Sequence, residues 1–129
     1  LPIIHLHGIL GDYPDIPYKM HIPISSLKHA AAELRITSDE NLEKSNQYQS
    51  ARNLLSLGGD VVFLGFGYHS RVLDRLGLLE KDRGIRIMGT AYDIPVWRRD
   101  EIRLLFKSGI ILDDRNLKVH QYLERIMRS

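Results

Sequence analysis

Residues 61–70 read VVFLGFGYHS, an apolar run that leads into two closely spaced glycines. The run is rich in β-branched and aromatic residues, which is typical of a strand. Because its first residues are apolar at successive positions, it indicates a strand covered on both faces, as in a parallel sheet. Gly65 and Gly67 then predict a tight turn, and Ser70 is predicted to cap a helix. The stretch therefore predicts a strand, a turn and a helix in that order.

Three further apolar runs are predicted to be strands. Residues 3–8 read IIHLHG, residues 85–91 read IRIMGTA, and residues 110–112 read IIL, a shorter strand. Helical spacing of apolar residues occupies the intervals. The helices are predicted from four groups of residues: Tyr48, Ala51, Leu54 and Leu55; Val72, Leu73, Leu76 and Leu79; Trp97, Ile102, Leu105 and Phe106; and Val119, Leu123, Ile126 and Met127. Alternating strands and helices predict an α/β fold whose parallel sheet has three to four strands and flanking helices.

Polar residues near the last two helices have structural interpretations. Asn116 is predicted to cap the last helix, and Asp113 and Asp114 are interpreted as capping residues because no third carboxylate is near enough for a metal site. Trp97 is predicted at the edge of the core, beside a solvated pair of arginines at 98 and 99. Stacking of Trp97 on a nucleic-acid base is the alternative.

Composition narrows the class of protein. The chain has 129 residues, 43% of them hydrophobic and 26% charged, which fits one globular domain and excludes a disordered one. It has no cysteine, which excludes disulfides, thiolate zinc sites and a cysteine nucleophile. A net charge of +2 is too small to indicate nucleic acid as the partner. No apolar run approaches the roughly 20 residues of a membrane span, and the opening residues do not have the pattern of a signal peptide, so a cytoplasmic protein is expected.

The chain begins with Leu1 and enters an apolar run at once, without a starting methionine. We therefore expect residues 1–129 to be a single, partial domain of a longer protein.

Ligands of open α/β sheets bind beyond the carboxyl ends of the strands, where two predicted strands carry suitable residues. His5 and His7 are two positions apart, so strand geometry would point both imidazoles to one face. His7, next to Gly8, could act as a general base near neutral pH. The alternative is that both histidines occupy polar positions in the core.

The turn at residues 65–70 is the second candidate. Backbone N–H groups at the start of a helix favour an anion such as a diphosphate, and the two glycines allow close approach. The alternative is a tight turn without a ligand. Gly89 and Thr90 occupy the corresponding position at the end of the apolar run at residues 85–91.

A strand ending in Leu-His-Gly, a strand reading Phe-Leu-Gly-Phe-Gly-Tyr-His and a strand ending in Gly-Thr-Ala-Tyr together resemble the sirtuin-like superfamily. The chain looks most like the divergent bacterial branch that lacks zinc, whose members are often NAD-cleaving enzymes in antiviral defence against phage. The resemblance covers nearly the whole chain but only the C-terminal half of that catalytic domain. It implies the C-terminal half of a Rossmann-like parallel sheet with NAD as its ligand.

The resemblance also implies roles for individual residues. His7 matches the active-site base. The segment Gly65–Gly67 matches the loop that contacts the NAD phosphate and ribose, and residues 88–90 match the adenosine side. The implied cofactor-binding residues are Gly8, Gly65, Phe66, Gly67, Tyr68, His69, Gly89 and Thr90. No metal is implied.

This sequence departs from the family pattern in three ways. No cysteine lies between Gly8 and Gly65, so the zinc module of the deacylases is absent. Phe66 and Gly67 replace the usual Thr-Ser, so hydroxyl contacts of that loop are lost or made by backbone. The glycine-rich first loop and the catalytic Asn and Asp are not in the chain. We therefore expect this chain alone to be inactive and to bind NAD weakly or not at all.

The absent half also bears on assembly. The edge strand expected at residues 1–8 would lack a neighbour, so the missing half, a partner chain or a second copy is expected to complete the sheet.

Two other functions remain open. His5 and His7 could begin the metal site of a hydrolase, with His69 and Asp93 as further ligands. A non-catalytic NAD sensor or assembly module would bind NAD without releasing nicotinamide.

Overall fold

The computed structural model describes residues 2–7, 24–25, 28, 31, 45–80 and 84–129. The chain divides into two compact units, Leu1–Leu54 and Leu55–Ser129.

The second unit contains a parallel sheet, as the sequence predicts. Its strands are β1 (Gly59–Phe63), β2 (Ile85–Gly89) and β3 (Ile111–Leu112), in the order β1-β2-β3. Phe63 pairs with Gly89, and Gly89 pairs with Leu112, so the three strands end at one edge of the sheet. The α/β class, the parallel sheet and the count of three strands among the described residues confirm the predicted Rossmann-like half-fold.

One helix precedes β1, two helices connect the strands, and one helix follows β3. They are α1 (Asn46–Leu55), α2 (Ser70–Arg75), α3 (Val96–Leu105) and α4 (Val119–Arg128). Parallel neighbours require a crossover connection, which α2 supplies between β1 and β2 and α3 between β2 and β3. All four predicted helices are present, but α2 ends before Leu76 and Leu79 and α3 ends before Phe106, which were predicted to be helical.

The core of the second unit is apolar and aromatic. Its buried side chains include Tyr68, Val72, Leu73, Leu78, Ile87, Ile102, Phe106, Leu112 and Tyr122. β1 is only half-buried at its three apolar positions, because it is the edge strand of the described sheet. The expectation that this strand is covered on both faces is therefore met only in part.

The described residues of the apolar run at 3–8 do not form a strand, contrary to prediction. Residues 2–5 have no regular secondary structure, and Leu6 and His7 lie in a turn. β-Propensity measures how well a side chain fits a pleated, half-buried surface, whereas the side chain of Ile3 is 78% exposed. His5 and His7 therefore do not share a strand face, and the described part of residues 1–8 contains no sheet edge.

Two predicted helix caps are wrong. α2 begins at Ser70 itself, with His69 as its N-cap residue, and α4 has Lys118 rather than Asn116 at that position. Asn116 has a positive φ of 54° and uses its side chain elsewhere. A cap depends on which residue leaves helical geometry, and spacing alone does not determine that residue.

Four of the apolar residues from which the helices were predicted are exposed. Leu54 is 47%, Trp97 65%, Val119 37% and Met127 83% exposed, while Ile102 and Tyr122 are buried. The apolar spacing therefore identified the helices correctly but assigned their inner faces with an error.

Asp113 has a structural role, as predicted, but it does not cap α4, whose N-cap residue is Lys118. Its buried carboxylate accepts hydrogen bonds from the backbone N–H groups of Arg115 (3.3 Å) and Leu117 (2.9 Å) and from Arg125 Nη1 (3.2 Å). Asp113 thus secures the loop that leads into α4. Its charge and the burial of Tyr122 both raise the pKa of the Tyr122 hydroxyl, burial being the larger cause.

Candidate functional site

A cavity of about 440 Å³ lies beyond the carboxyl ends of β1 and β2. The loop after β1, the loop after β2 and the start of α4 supply its walls. The described residues that line it are Gly65, Phe66, Gly67, Thr90, Tyr92, Ile94, Lys118 and Val119. Four of the predicted ligand-binding residues are therefore brought together, namely Gly65, Phe66, Gly67 and Thr90. The volume lies within the roughly 300–1,000 Å³ that is usual for small-molecule sites.

Thr90 joins the two loops of the cavity. Its backbone N–H donates to the carbonyl of Phe63 (3.0 Å), and its hydroxyl oxygen accepts from the backbone N–H of Gly65 (2.9 Å). The hydroxyl also lies 3.4 Å from the Phe63 carbonyl, to which it donates. Gly65 has a positive φ of 62°, which glycine adopts without strain. The threonine side chain thereby holds the Gly65–Gly67 turn against the end of β2.

Replacing Thr90 with valine should lower the free energy of unfolding by about 2 kcal/mol, because the Gly65 N–H loses its acceptor while the side-chain shape is kept. Chemical denaturation of the wild type, Thr90→Val and Thr90→Ser measures this effect. Serine keeps the hydroxyl and is the matched control for the turn. A larger loss in Thr90→Ser than in Thr90→Val would show that the methyl group, and not the hydrogen bond, supports the turn.

Tyr68 contacts two residues that line the cavity, Thr90 and Phe66. Its side chain is fully buried, and its hydroxyl donates to the Thr90 carbonyl at 2.8 Å. Burial raises the pKa of the Tyr68 hydroxyl, so the group remains a hydrogen-bond donor at physiological pH. The ring makes edge contacts with Phe63 and Phe66, whose own rings stack at a centroid distance of 5.0 Å. Tyr68 is not among the described residues that line the cavity.

Gly89 also has a packing role. A Cβ atom added to it would lie 2.0 Å from the Tyr68 hydroxyl oxygen and 3.1 Å from Phe63 Cβ. The tyrosine therefore occupies the space that a side chain at position 89 would need. His69 is exposed and packs edge-on against Phe66 at a centroid distance of 6.2 Å. Neither Gly89 nor His69 lines the cavity among the described residues.

Arg99 connects two loops near the cavity. Its guanidinium donates to the carbonyls of Ile94 (2.7 Å) and Ala91 (3.2 Å) and to Asn116 Oδ1 (3.4 Å). The same Asn116 oxygen accepts from the backbone N–H of Asp93 at 2.7 Å. The loop after β2 is thus joined to the loop before α4. The prediction that Arg99 belongs to a solvated charge pair is therefore wrong.

Lys118 gives the cavity its charge. It carries the one charged side chain among the described lining residues. Its Nζ atom lies 5.8 Å from the centroid of the Tyr92 ring, within the range of a cation–π interaction. Sequence reasoning missed Tyr92, Ile94, Lys118 and Val119. The only signal for the first two was their position just after a predicted strand, and the last two belong to no recognisable motif.

His7 belongs to the first unit, where its Nε2 atom lies 3.3 Å from the hydroxyl of the fully buried Tyr48. His5 is exposed, and Gly8 lies outside the described residues. The described ranges contain no group of three or more His, Cys, Asp or Glu side chains arranged to hold a metal ion. His69 and Asp93 therefore do not complete the predicted metal site within this part of the chain.

No protein-family model, curated protein or solved structure matches the chain. The sirtuin-like relationship stays a prediction from the sequence motifs. Within the residues that the structure describes, no helix has both the length and the apolar character needed to cross a membrane.

Proposed function

We propose that the cavity of the second unit binds NAD, and that the chain is the C-terminal part of a sirtuin-like domain that cleaves the nicotinamide–ribose bond. The observation that carries this proposal is the cavity at the carboxyl ends of β1 and β2, which contains the Gly65–Gly67 turn. Parallel α/β sheets bind nucleotides at such edges because loops and helix starts there present backbone N–H groups.

The lining residues suit a phosphorylated nucleotide. Lys118 supplies a positive charge, and Phe66 and Tyr92 supply aromatic surface that a base or a ribose can contact. The glycines leave the backbone of the turn accessible. No carboxylate is among the described lining residues to oppose an anion.

The chemical step assigned to His7 is general-base catalysis. The bond between nicotinamide and the ribose C1′ breaks, and nicotinamide leaves with the bonding electrons. A water molecule then forms the new C–O bond at C1′, and His7 takes its proton, so the products are nicotinamide and ADP-ribose. His7 is suited to this role because an imidazole nitrogen can accept a proton and because the Tyr48 hydroxyl lies close enough to orient its ring.

A non-catalytic NAD sensor is the second candidate. One observation favours it: every described residue that lines the cavity belongs to the second unit, whereas His7 belongs to the first. A sensor would bind NAD through these lining residues and would not need His7 as a base.

A titration followed by NMR tests the binding proposal, because chemical shifts detect affinities as weak as about millimolar. We expect NAD and ADP-ribose to shift the amide signals of Gly65, Gly67 and Thr90. Val119→Trp should abolish these shifts by filling the cavity. His120→Trp, on the neighbouring exposed position, is the matched control and should leave them unchanged. Shifts that persist in Val119→Trp, or that arise neither in this chain nor in a longer protein that contains it, would contradict the proposal.

A further inference from the structure

We infer that Lys118 determines the ligand specificity of the cavity by selecting compounds that carry a phosphate group. The inference rests on the proposed nucleotide-binding function and adds to it a residue that the sequence motifs do not assign. It predicts that the cavity distinguishes a phosphorylated nucleotide from the corresponding nucleoside.

The charges around the cavity support this role. Apart from Lys118, the described lining residues are glycine, threonine, tyrosine, phenylalanine, isoleucine and valine, all of them neutral. Nucleotide sites that prefer an unmodified ribose commonly place a carboxylate on its hydroxyls. Here the one charge is a cation, so the electrostatic preference of the cavity is for an anion.

The structure positions the Lys118 amine at the cavity. The backbone N–H of Lys118 donates to Gln121 Oε1 at 3.0 Å, which fixes the residue at the start of α4. Its Nζ atom lies 5.8 Å from the centroid of the Tyr92 ring, and Tyr92 itself lines the cavity. A cation–π contact leaves the three N–H donors of the amine available to phosphate oxygens.

The contribution of Lys118 is separable from that of the neutral walls. Phe66, Tyr92 and Val119 contact a ligand through apolar surface, which a nucleoside and a nucleotide offer alike. A nucleotide differs from its nucleoside by the phosphate group, and ADP-ribose differs from adenosine by a charged diphosphate and a second, neutral ribose. Loss of the lysine charge should therefore weaken nucleotide binding and leave nucleoside binding unchanged.

The test compares ADP-ribose with adenosine in NMR titrations of the wild-type chain, Lys118→Met and Lys118→Arg. Lys118→Met removes the charge and keeps most of the side-chain length, whereas Lys118→Arg keeps the charge. Lys107→Met is the matched control, because Lys107 is exposed and does not line the cavity. Amide spectra of the free variants establish that each one folds.

We expect Lys118→Met to weaken ADP-ribose binding about tenfold or more, as loss of a hydrogen bond to a charged group predicts. Adenosine affinity should not change, and Lys118→Arg and Lys107→Met should bind ADP-ribose as the wild type does. An unchanged ADP-ribose affinity in Lys118→Met, or an equal loss for adenosine, would overturn the role of Lys118 while leaving the cavity as the binding site. If neither ligand shifts any signal of the wild-type chain or of a longer protein that contains it, the proposed function fails, and this inference fails with it.

Discussion

Replacing Gly89 with alanine should lower the free energy of unfolding by about 3 kcal/mol, because overpacking a filled core forces neighbouring groups to move. The new Cβ atom would lie 2.0 Å from the Tyr68 hydroxyl oxygen and 3.1 Å from Phe63 Cβ. Neither neighbour can move freely. Tyr68 is fully buried and bonded to the Thr90 carbonyl, and Phe63 belongs to β1, which pairs with β2 at this residue.

A double-mutant cycle identifies the cause of the loss. Tyr68→Phe alone gives up one buried hydrogen bond, which costs about 1 kcal/mol. In that background the closest contact to a Cβ at position 89 is gone, although the ring carbon at 3.1 Å remains. The double variant should therefore be more stable than the sum of the two single changes predicts, by about 1 kcal/mol.

Gly67→Ala is the matched control for this experiment. Its added Cβ would approach only the exposed side chain of His69, at 3.2 Å, which can move away. Denaturant unfolding of the four variants and the wild type provides the comparison. Strictly additive losses, or an equal loss in Gly67→Ala, would show that backbone freedom rather than the Tyr68 contact makes glycine necessary at position 89.

Much of the fold was predictable because its signals are local. The runs around β1, β2 and β3 are apolar at neighbouring positions and bounded by glycines or polar residues, and helical spacing occupies the intervals. The run at residues 3–8 has the same composition, but its described residues form no strand. Composition measures strand propensity, whereas a strand also requires a neighbour with which to pair.

The candidate site was predictable where it follows from the strands. Gly65, Phe66, Gly67 and Thr90 come directly after β1 and β2, and parallel strands bring their carboxyl ends together. Lys118 reaches the same cavity from a helix more distant in sequence, so its position depends on how α4 packs. No short motif encodes that packing.

Glycine positions show a further limit of sequence reasoning. Gly89 was predicted to contact a ligand, and the structure places the Tyr68 hydroxyl in the space beside it. A glycine that admits a ligand and a glycine that admits a side chain look the same in a sequence.

If the chain belongs to a longer NAD-cleaving protein, as proposed, His7→Ala in that protein should reduce nicotinamide release from NAD about 10²- to 10⁴-fold, the usual contribution of a general base. The imidazole lies 3.3 Å from the Tyr48 hydroxyl, so its loss removes a partner of a buried tyrosine as well as the base. Thermal unfolding of the variant is therefore measured alongside nicotinamide release, to establish that the folded fraction is unchanged under assay conditions.

His5→Ala and Tyr48→Phe distinguish the role of His7 as the base from the contribution of neighbouring residues. His5→Ala changes an exposed histidine two positions away and should retain activity if His7 acts as a base. Loss of activity in both histidine variants, restored by added zinc, would favour the metal-hydrolase alternative instead.

Tyr48→Phe keeps His7 but removes the hydroxyl near its ring, so it should lower the rate less than His7→Ala and alter the pH profile of the reaction. A folded His7→Ala variant that still releases nicotinamide would exclude His7 as the base. A wild-type protein that binds NAD without releasing nicotinamide would favour the sensor.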